Sequence, residues 1–149
     1  MPLRAVAYAS EATSGLSMDH VDDLARVAAR FNFEAGVTGV LLYDGLRFLQ
    51  YNEGPEDSIN VVYSRILRAR SHCELIKLGR GRVSGRSFPY WSMRLLWVDD
   101  SEIRSVARSN WDGLSRGGAL RQLSLVVART WGDHPMAINA PAVARRHPP

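Results

Sequence analysis

The sequence predicts an α+β fold of the ferredoxin-like type, with the order β-α-β-β-α-β-β along the chain. Two observations carry this prediction. Over its first two thirds, the sequence alternates short apolar stretches with two longer stretches of helical periodicity, which is the order of that fold. The stretch Val37–Tyr43 is apolar on both faces, as is typical of a strand covered from both sides. Both helices are expected on one face of the sheet, so another part of the chain must cover the opposite face.

The first half of the chain is predicted to form a strand, a helix and a hairpin. Leu3–Tyr8 is a short apolar stretch that suits an opening strand. Ser17 can cap a helix that ends at Gly36. The apolar residues of this helix fall on one face: Val21, Leu24, Ala25, Ala28 and Phe31. The dipeptide Asp44–Gly45 then predicts a tight turn, with a return strand over Leu46–Glu53.

The second half supplies a helix, two strands and two further helices. Pro55 suits the first position of the second helix. The buried positions of that helix share one face: Ile59, Val62, Tyr63 and Ile66. Strands are expected near Glu74–Val83 and Trp91–Val98, and helices near Glu102–Arg108 and Gly118–Thr130. We expect the last two helices to cover the open face of the sheet or to form an oligomer contact.

The 149 residues divide into a domain over 1–98, a helical extension over 99–134 and a tail over 135–149 that we expect to be disordered. The single cysteine excludes a disulfide framework within the chain. The net charge of +4 comes from scattered arginines rather than from a nucleic-acid-binding motif. Since no apolar run could cross a membrane and no signal peptide is visible, we expect a cytoplasmic protein.

Three polar residues occupy positions that the pattern places inside. Tyr8 ends the first strand, Asn32 extends the apolar row of the first helix, and Gln50 lies on one face of the return strand. A buried amide or phenol without a partner costs about 1–3 kcal/mol. Any one of them can bond to the backbone, but the three together favour a shared ligand with an apolar body and a polar edge. Trp91 and Met93 are predicted to alternate onto one face of the last strand.

Motifs of several other chemistries are not apparent. Gly79–Gly81 lacks the strand, turn and helix context of a dinucleotide-binding loop. The four histidines and Cys73 do not have metal-ligand spacing, and no Ser-His-Asp or paired-carboxylate arrangement stands out. Two alternatives remain open from the residues alone: a flavin-using or ferredoxin-like enzyme, and a basic module that stacks nucleic-acid bases on sheet aromatics.

Several short stretches resemble BLUF domains, the sensors of blue light using FAD. They are Ala7–Ser10, Val37–Tyr43, Arg47–Gln50, Glu53–Pro55 and Phe88–Met93. Each stretch is a weak signal, but the ordered set of Tyr, Asn, Gln and Trp-x-Met with fitting gaps is highly specific. The resemblance runs from about Leu3 to Val98, so residues 1–98 would be the photosensory domain.

The resemblance implies a role for each polar residue. Tyr8 would donate an electron and a proton beside the flavin, and Gln50 would bridge Tyr8 and the N5 and C4 carbonyl edge. Asn32 would hold the C4 carbonyl and N3 side of the ring. Arg65 would reach the pyrimidine end, and His72 would lie near the cofactor.

It also implies a clamp and a relay. Leu24 and Ile66 would hold the isoalloxazine between the two helices. Trp91 and Met93 would compete for the space beside Gln50 and pass the change to the last strand. The chain departs from the usual pattern at four positions, which are Phe31, Asn52, Ala69 and Ser71. The departures bear on the support of Arg65 and on flavin affinity.

The expected cofactor is FAD, although the ring contacts alone are equally compatible with FMN or riboflavin. The expected protein is a light sensor, not an enzyme, that acts on a separate effector protein and forms a homo-oligomer. No membrane or nucleic-acid partner is expected.

Overall fold

The computed structural model describes residues 2–69, 72–114 and 117–131. Its strands are β1 Leu3–Ala12, β2 Thr38–Tyr43, β3 Arg47–Pro55, β4 His72–Val83 and β5 Arg94–Trp97. Its helices are α1 Met18–Ala35, α2 Glu56–Leu67, α3 Asp100–Ala107 and α4 Ala119–Trp131. The strands form one sheet in the order β4-β1-β3-β2-β5, in which only the β2–β5 pair is parallel. The predicted α+β ferredoxin-like fold is confirmed.

Both ends of α1 follow from the sequence. The Ser17 hydroxyl accepts a hydrogen bond from the His20 backbone N–H at 3.1 Å, which satisfies a free donor of the first turn. Gly36 adopts a left-handed conformation with φ of 73°, and its N–H bonds to the carbonyls of Asn32 and Phe33. The predicted start and end of this helix are therefore confirmed.

The two faces of the sheet are covered by different pairs of helices. On one face, α1 packs Val21 and Ala25 against the sheet, and α2 packs Ile59 and Val62 beside Val6. The opposite face is covered by α3 and α4. Their core residues there are Ile103, Val106, Ala119, Leu123, Val126 and Val127. The C-terminal helices thus lie where the fold prediction put them, whereas the division into a domain and an extension stays a prediction.

Several element boundaries differ from the predictions, and β3 covers Arg47–Pro55 rather than Leu46–Glu53. β1 continues to Ala12 rather than ending at Tyr8, because it pairs with β3 on one side and β4 on the other. β4 begins at His72, two residues before the predicted Glu74. Pro55 is the N-cap of α2, and the first helical residue is Glu56. The tail over 135–149 lies outside the described residues.

The segment before β5 is not a strand, and this corrects the prediction for Trp91 and Met93. β5 begins at Arg94, so the two residues precede it and do not share one of its faces. Met93 packs in the cluster beneath α1. Trp91 packs against the cluster beneath α3 and α4. The rule of alternation fails here because the chain turns before it enters the ladder.

In the described part of the chain, no helix is long and apolar enough to cross a membrane. No three His, Cys, Asp or Glu side chains within the described ranges are grouped so that they could hold a metal ion.

Candidate functional site

A cavity of about 310 Å³ opens between α1 and α2 above the sheet. Residues of β1, β2 and β3 form its floor, and residues of the two helices form its walls. They are Tyr8, Ser10, Leu41, Phe48 and Gln50 from the sheet, with Leu24, Val27, Ala28, Arg65, Ile66, Arg68 and Ala69 from the helices and the residues after α2. Its volume lies at the lower end of those of small-molecule sites.

Two other hollows of about 460 and 470 Å³ are larger but lie at the surface. One lies on the outer side of α2 around Asn60 and Arg68. The other lies between Asp99 and Arg129. Neither contains the polar residues that the sequence places inside, so the cavity between α1 and α2 is the better candidate.

Tyr8 and Gln50 lie side by side on the cavity floor. They face each other across the antiparallel pair of β1 and β3, and Leu41 is the next neighbour of Gln50 on β2. Adjacent positions of this kind bring side chains on one face within contact distance. The Gln50 amino group points to the Met93 sulfur at 4.0 Å. The Gln50 amide thus lies next to a phenol and a polarisable sulfur.

A chain of amides runs behind Tyr8. The Asn32 amino group donates to the Ser92 carbonyl at 2.9 Å and to the Asn52 amide oxygen at 3.4 Å. The Asn52 amino group in turn donates to the Tyr8 hydroxyl oxygen at 3.4 Å. Tyr8, Asn32 and Asn52 are all at most 2% exposed. Two of the three polar residues predicted inside thus belong to one buried network.

Burial controls the ionisation of Tyr8. Its removal from water raises its pKa well above the ordinary value, the donor from Asn52 lowers it by less, and the nearby Tyr63 phenol raises it further. The two rings lie 5.8 Å apart between centroids. Tyr8 is therefore a neutral phenol that keeps its proton at ordinary pH.

Arg65 lies at the rim of the cavity and rests on an aromatic ring of the facing helix. Its guanidinium carbon is 4.3 Å from the centroid of Phe31, which is a cation–π contact between α2 and α1. Phe31 is one of the positions where the chain departs from the BLUF pattern. The residue at this position thus contacts Arg65 directly.

The predicted site residues fall into four groups. Five line the cavity: Tyr8, Leu24, Gln50, Arg65 and Ile66. Met93 contacts Gln50 on the floor, and Asn32 lies one step further back, connected to Tyr8 through Asn52. Trp91 lies away from Gln50, with its ring stacked on Phe88 at 6.3 Å between centroids. The side chain of His72 lies outside the described residues.

Two buried polar residues, one in the cavity and one on the opposite face of the sheet, were not expected from the sequence. Ser10 is 5% exposed and lines the cavity two residues after Tyr8, on the same face of β1. Glu53 is a carboxylate with 0% exposure at the end of β3. The sequence could have indicated the role of Glu53, because Glu53 lies in a strand whose other residues are mostly buried. A buried acid must be satisfied by several donors.

A family model described as "BLUF: Sensors of blue-light using FAD" matches residues 3–94. The chain belongs to the BLUF family. The cofactor of BLUF domains is FAD, and the sensory role predicted for residues 1–98 is that of this family.

Other proteins of known function share this BLUF region. The photoactivated adenylate cyclase subunit alpha of Euglena gracilis is 28% identical over 133 residues, which make up 88% of this chain and 12% of that relative. The blue light- and temperature-regulated antirepressor BluF of Escherichia coli (strain K12) is 28% identical over 110 residues, 74% of this chain and 27% of the antirepressor. This BLUF chain thus spans only a small part of the length of these curated relatives.

Solved BLUF structures have the same fold. The dark-state structure of BlrB, a BLUF protein, matches with a TM-score of 0.68 and 26% identity over 86% of this chain and 96% of that chain. The BLUF domain of BlrP1 matches with a TM-score of 0.63 and 26% identity over 86% of this chain and 91% of that chain.

The residues around the cavity fit a flavin ring. Leu24 and Ile66 provide apolar walls on facing helices, and Tyr8 and Gln50 provide hydrogen-bonding groups on the floor. Arg65 adds a positive charge at the rim. An apolar slot with a few polar groups on one side suits a flat heteroaromatic that has an apolar body and a polar edge.

Proposed function

We propose that this chain is a blue-light photoreceptor that holds FAD non-covalently in the cavity between α1 and α2. The observation that carries the proposal is the pairing of Tyr8 and Gln50 on the cavity floor, with Met93 in contact with Gln50. When bound, the flavin supplies the absorption of blue light and, once excited, a strong oxidant. The protein supplies position, hydrogen bonds and an oxidisable phenol.

Four residues would hold the ring. Leu24 and Ile66 would pack on its two sides, and Arg65 would reach its pyrimidine end. Asn32 would face the N3 and C4 side. Because the amino group of Asn32 already serves Ser92 and Asn52, its amide oxygen is the atom left to accept from an N–H group of a ligand.

Tyr8 and Gln50 would carry the light response. A neutral phenol can lose an electron and a proton together, and the buried position of Tyr8 keeps it neutral. Gln50 has a donor at one end of its amide and an acceptor at the other. A rotation or a tautomeric change of this amide would change which of its ends faces Tyr8 and which faces the ligand.

Met93 would report the rearrangement of Gln50 to the rest of the protein. It contacts the Gln50 amino group and packs beneath α1, directly before β5. If the Gln50 amide turns, this contact changes, and Met93 and Trp91 can exchange the space beside it. Such a shift between two packed states would carry the signal.

We further propose that the signal passes by contact to a separate effector protein, that the protein works as a homo-oligomer in the cytoplasm, and that it has no catalytic output of its own. The match to the BLUF protein BlrB, which covers 96% of that chain, supports a sensor that acts through another protein. The cyclase and antirepressor relatives show that one BLUF unit can be joined to different outputs.

The test is an absorption spectrum of the purified protein in the dark and after a pulse of blue light. We expect a yellow protein whose flavin band moves to the red and returns in darkness. A colourless protein that cannot take up FAD would return the choice to the enzyme and nucleic-acid alternatives. A yellow protein that does not respond to light would refute the photoreceptor role.

Replacing Phe31 by Leu is expected to weaken FAD binding by about twofold to fivefold. The change keeps an apolar side chain but removes the ring beneath Arg65, and a cation–π contact at an exposed position contributes about 0.5–1 kcal/mol. Flavin fluorescence titration measures the affinity. Phe33→Leu is the matched control, because Phe33 lies on the same helix and is 77% exposed. Equal affinities of the two variants would contradict a role for Arg65 in binding.

A further inference from the structure

We propose that Asn52 is a positioning residue for Tyr8, which directs the Tyr8 hydroxyl proton into the cavity. The proposal rests on the function proposed above and adds to it a residue to which the resemblance assigns no role. Asn52 is 0% exposed, so its polar atoms depend on partners within the protein.

The orientation of the Asn52 amide is fixed by its neighbours. The backbone carbonyl of Ser92 can only accept, so the Asn32 group that faces it is the amino group. The same amino group lies 3.4 Å from Asn52, where it must meet the amide oxygen. The Asn52 oxygen therefore faces Asn32, and its amino group faces Tyr8.

This orientation determines what Tyr8 can do with its proton. The Asn52 amino group donates to the Tyr8 oxygen at 3.4 Å and cannot accept in return. The hydroxyl proton of Tyr8 must therefore point elsewhere. Tyr8 lines the cavity, with Gln50 directly opposite on β3. The proton is thus held on the side where Gln50 and the ligand edge meet.

The hydrogen-bond network ends at the backbone carbonyl of Ser92. Ser92 lies between Trp91 and Met93, so its carbonyl belongs to the segment that would change position during signalling. A displacement of this carbonyl would change its hydrogen bond with Asn32. Through Asn52 it would also change the hydrogen bond to Tyr8. The two 3.4 Å contacts are at the long end for hydrogen bonds. We therefore expect Asn52 to tune the photocycle rather than to switch it on or off.

The first test is Asn52→Leu, which replaces the amide by an apolar side chain of similar size. We expect this variant to bind FAD, to keep the light-induced red shift and to recover in the dark about threefold to tenfold more slowly. This is the range for losing one neutral hydrogen bond that pre-orients the Tyr8 proton. Gln122→Leu, on the opposite side of the sheet, is the matched control and should recover at the wild-type rate. Equal recovery of both variants would contradict the proposal.

The second test does not depend on photochemistry. In FAD-loaded protein labelled at tyrosine Cζ, the dark-state Tyr8 resonance is expected to move in Asn52→Leu and to stay in place in Gln122→Leu. Reciprocally, Tyr8→Phe should shift the resonances of the Asn52 side-chain amide protons. This measurement tests the contact between Asn52 and Tyr8 even if Asn52→Leu does not fold. Unchanged resonances in these spectra would overturn the proposal. A wild-type protein without a light response would refute the proposed function but leave this test intact.

Discussion

Gln50→Leu is expected to bind FAD and to show no light-induced red shift. Leucine keeps the bulk of the side chain on the cavity floor, so the ring remains held by Leu24 and Ile66. It lacks both the donor and the acceptor that would exchange between Tyr8 and the ring edge. The measurement is the light-minus-dark absorption difference, which we expect to disappear, because this one side chain would carry the whole rearrangement.

Tyr8→Phe is expected to have the same outcome for a different reason. Phenylalanine fills the same space, but it has no hydroxyl group and cannot lose an electron and a proton together as the phenol can. Tyr43→Phe is the matched control, since Tyr43 is also a buried phenol and its hydroxyl bonds to the Gly45 carbonyl at 2.9 Å, outside the cavity. A red shift of normal size in Tyr8→Phe or Gln50→Leu would show that the response does not run through this pair.

Glu53→Gln is expected to lower the free energy of unfolding by about 2–4 kcal/mol. One carboxylate oxygen accepts from the Tyr51 hydroxyl at 3.0 Å and the Ser87 backbone N–H at 2.9 Å. The other accepts from the Phe88 backbone N–H at 2.7 Å and the Thr38 hydroxyl at 3.4 Å. Glutamine would turn an amino group towards two of these donors and leave one backbone N–H, of Ser87 or Phe88, without this partner.

The measurement for Glu53 is unfolding in urea or a thermal melt, where about 3 kcal/mol corresponds to a decrease in Tm of roughly 10 °C. Glu11→Gln is the control, since Glu11 is exposed on β1 and its change should alter the free energy of unfolding by less than about 0.5 kcal/mol. If the two variants melt together, Glu53 does not hold the segment before Trp91. A weaker attachment of this segment is also expected to alter dark recovery.

The fold could be predicted from the sequence because its signals are local and consistent. Ser17 and Gly36 mark the ends of α1, and the alternation along β3 correctly puts Gln50 on the face opposite Leu49 and Tyr51. The apolar stretch Val37–Tyr43 indicated a strand covered on both faces, and the C-terminal helices cover the face opposite α1 and α2. Each of these features depends on spacing within a few residues.

The remaining features depend on contacts between distant segments. The alternation that fits β3 fails for Trp91, because the chain turns before β5 and no local pattern marks that turn. Asn52 was visible as a departure from the family, but its contacts with Asn32 and Tyr8 join residues that are far apart in sequence. The same holds for Glu53, whose partners Ser87 and Phe88 come from another loop.

The most direct test of the central proposal is a dark-state crystal structure of the FAD-loaded protein. We expect the isoalloxazine between Leu24 and Ile66, with its polar edge within hydrogen-bonding distance of Gln50, about 3 Å. The Asn52 amide should remain between Asn32 and Tyr8. A flavin bound outside the cavity between α1 and α2, or a ring whose polar edge points away from Gln50, would contradict the account.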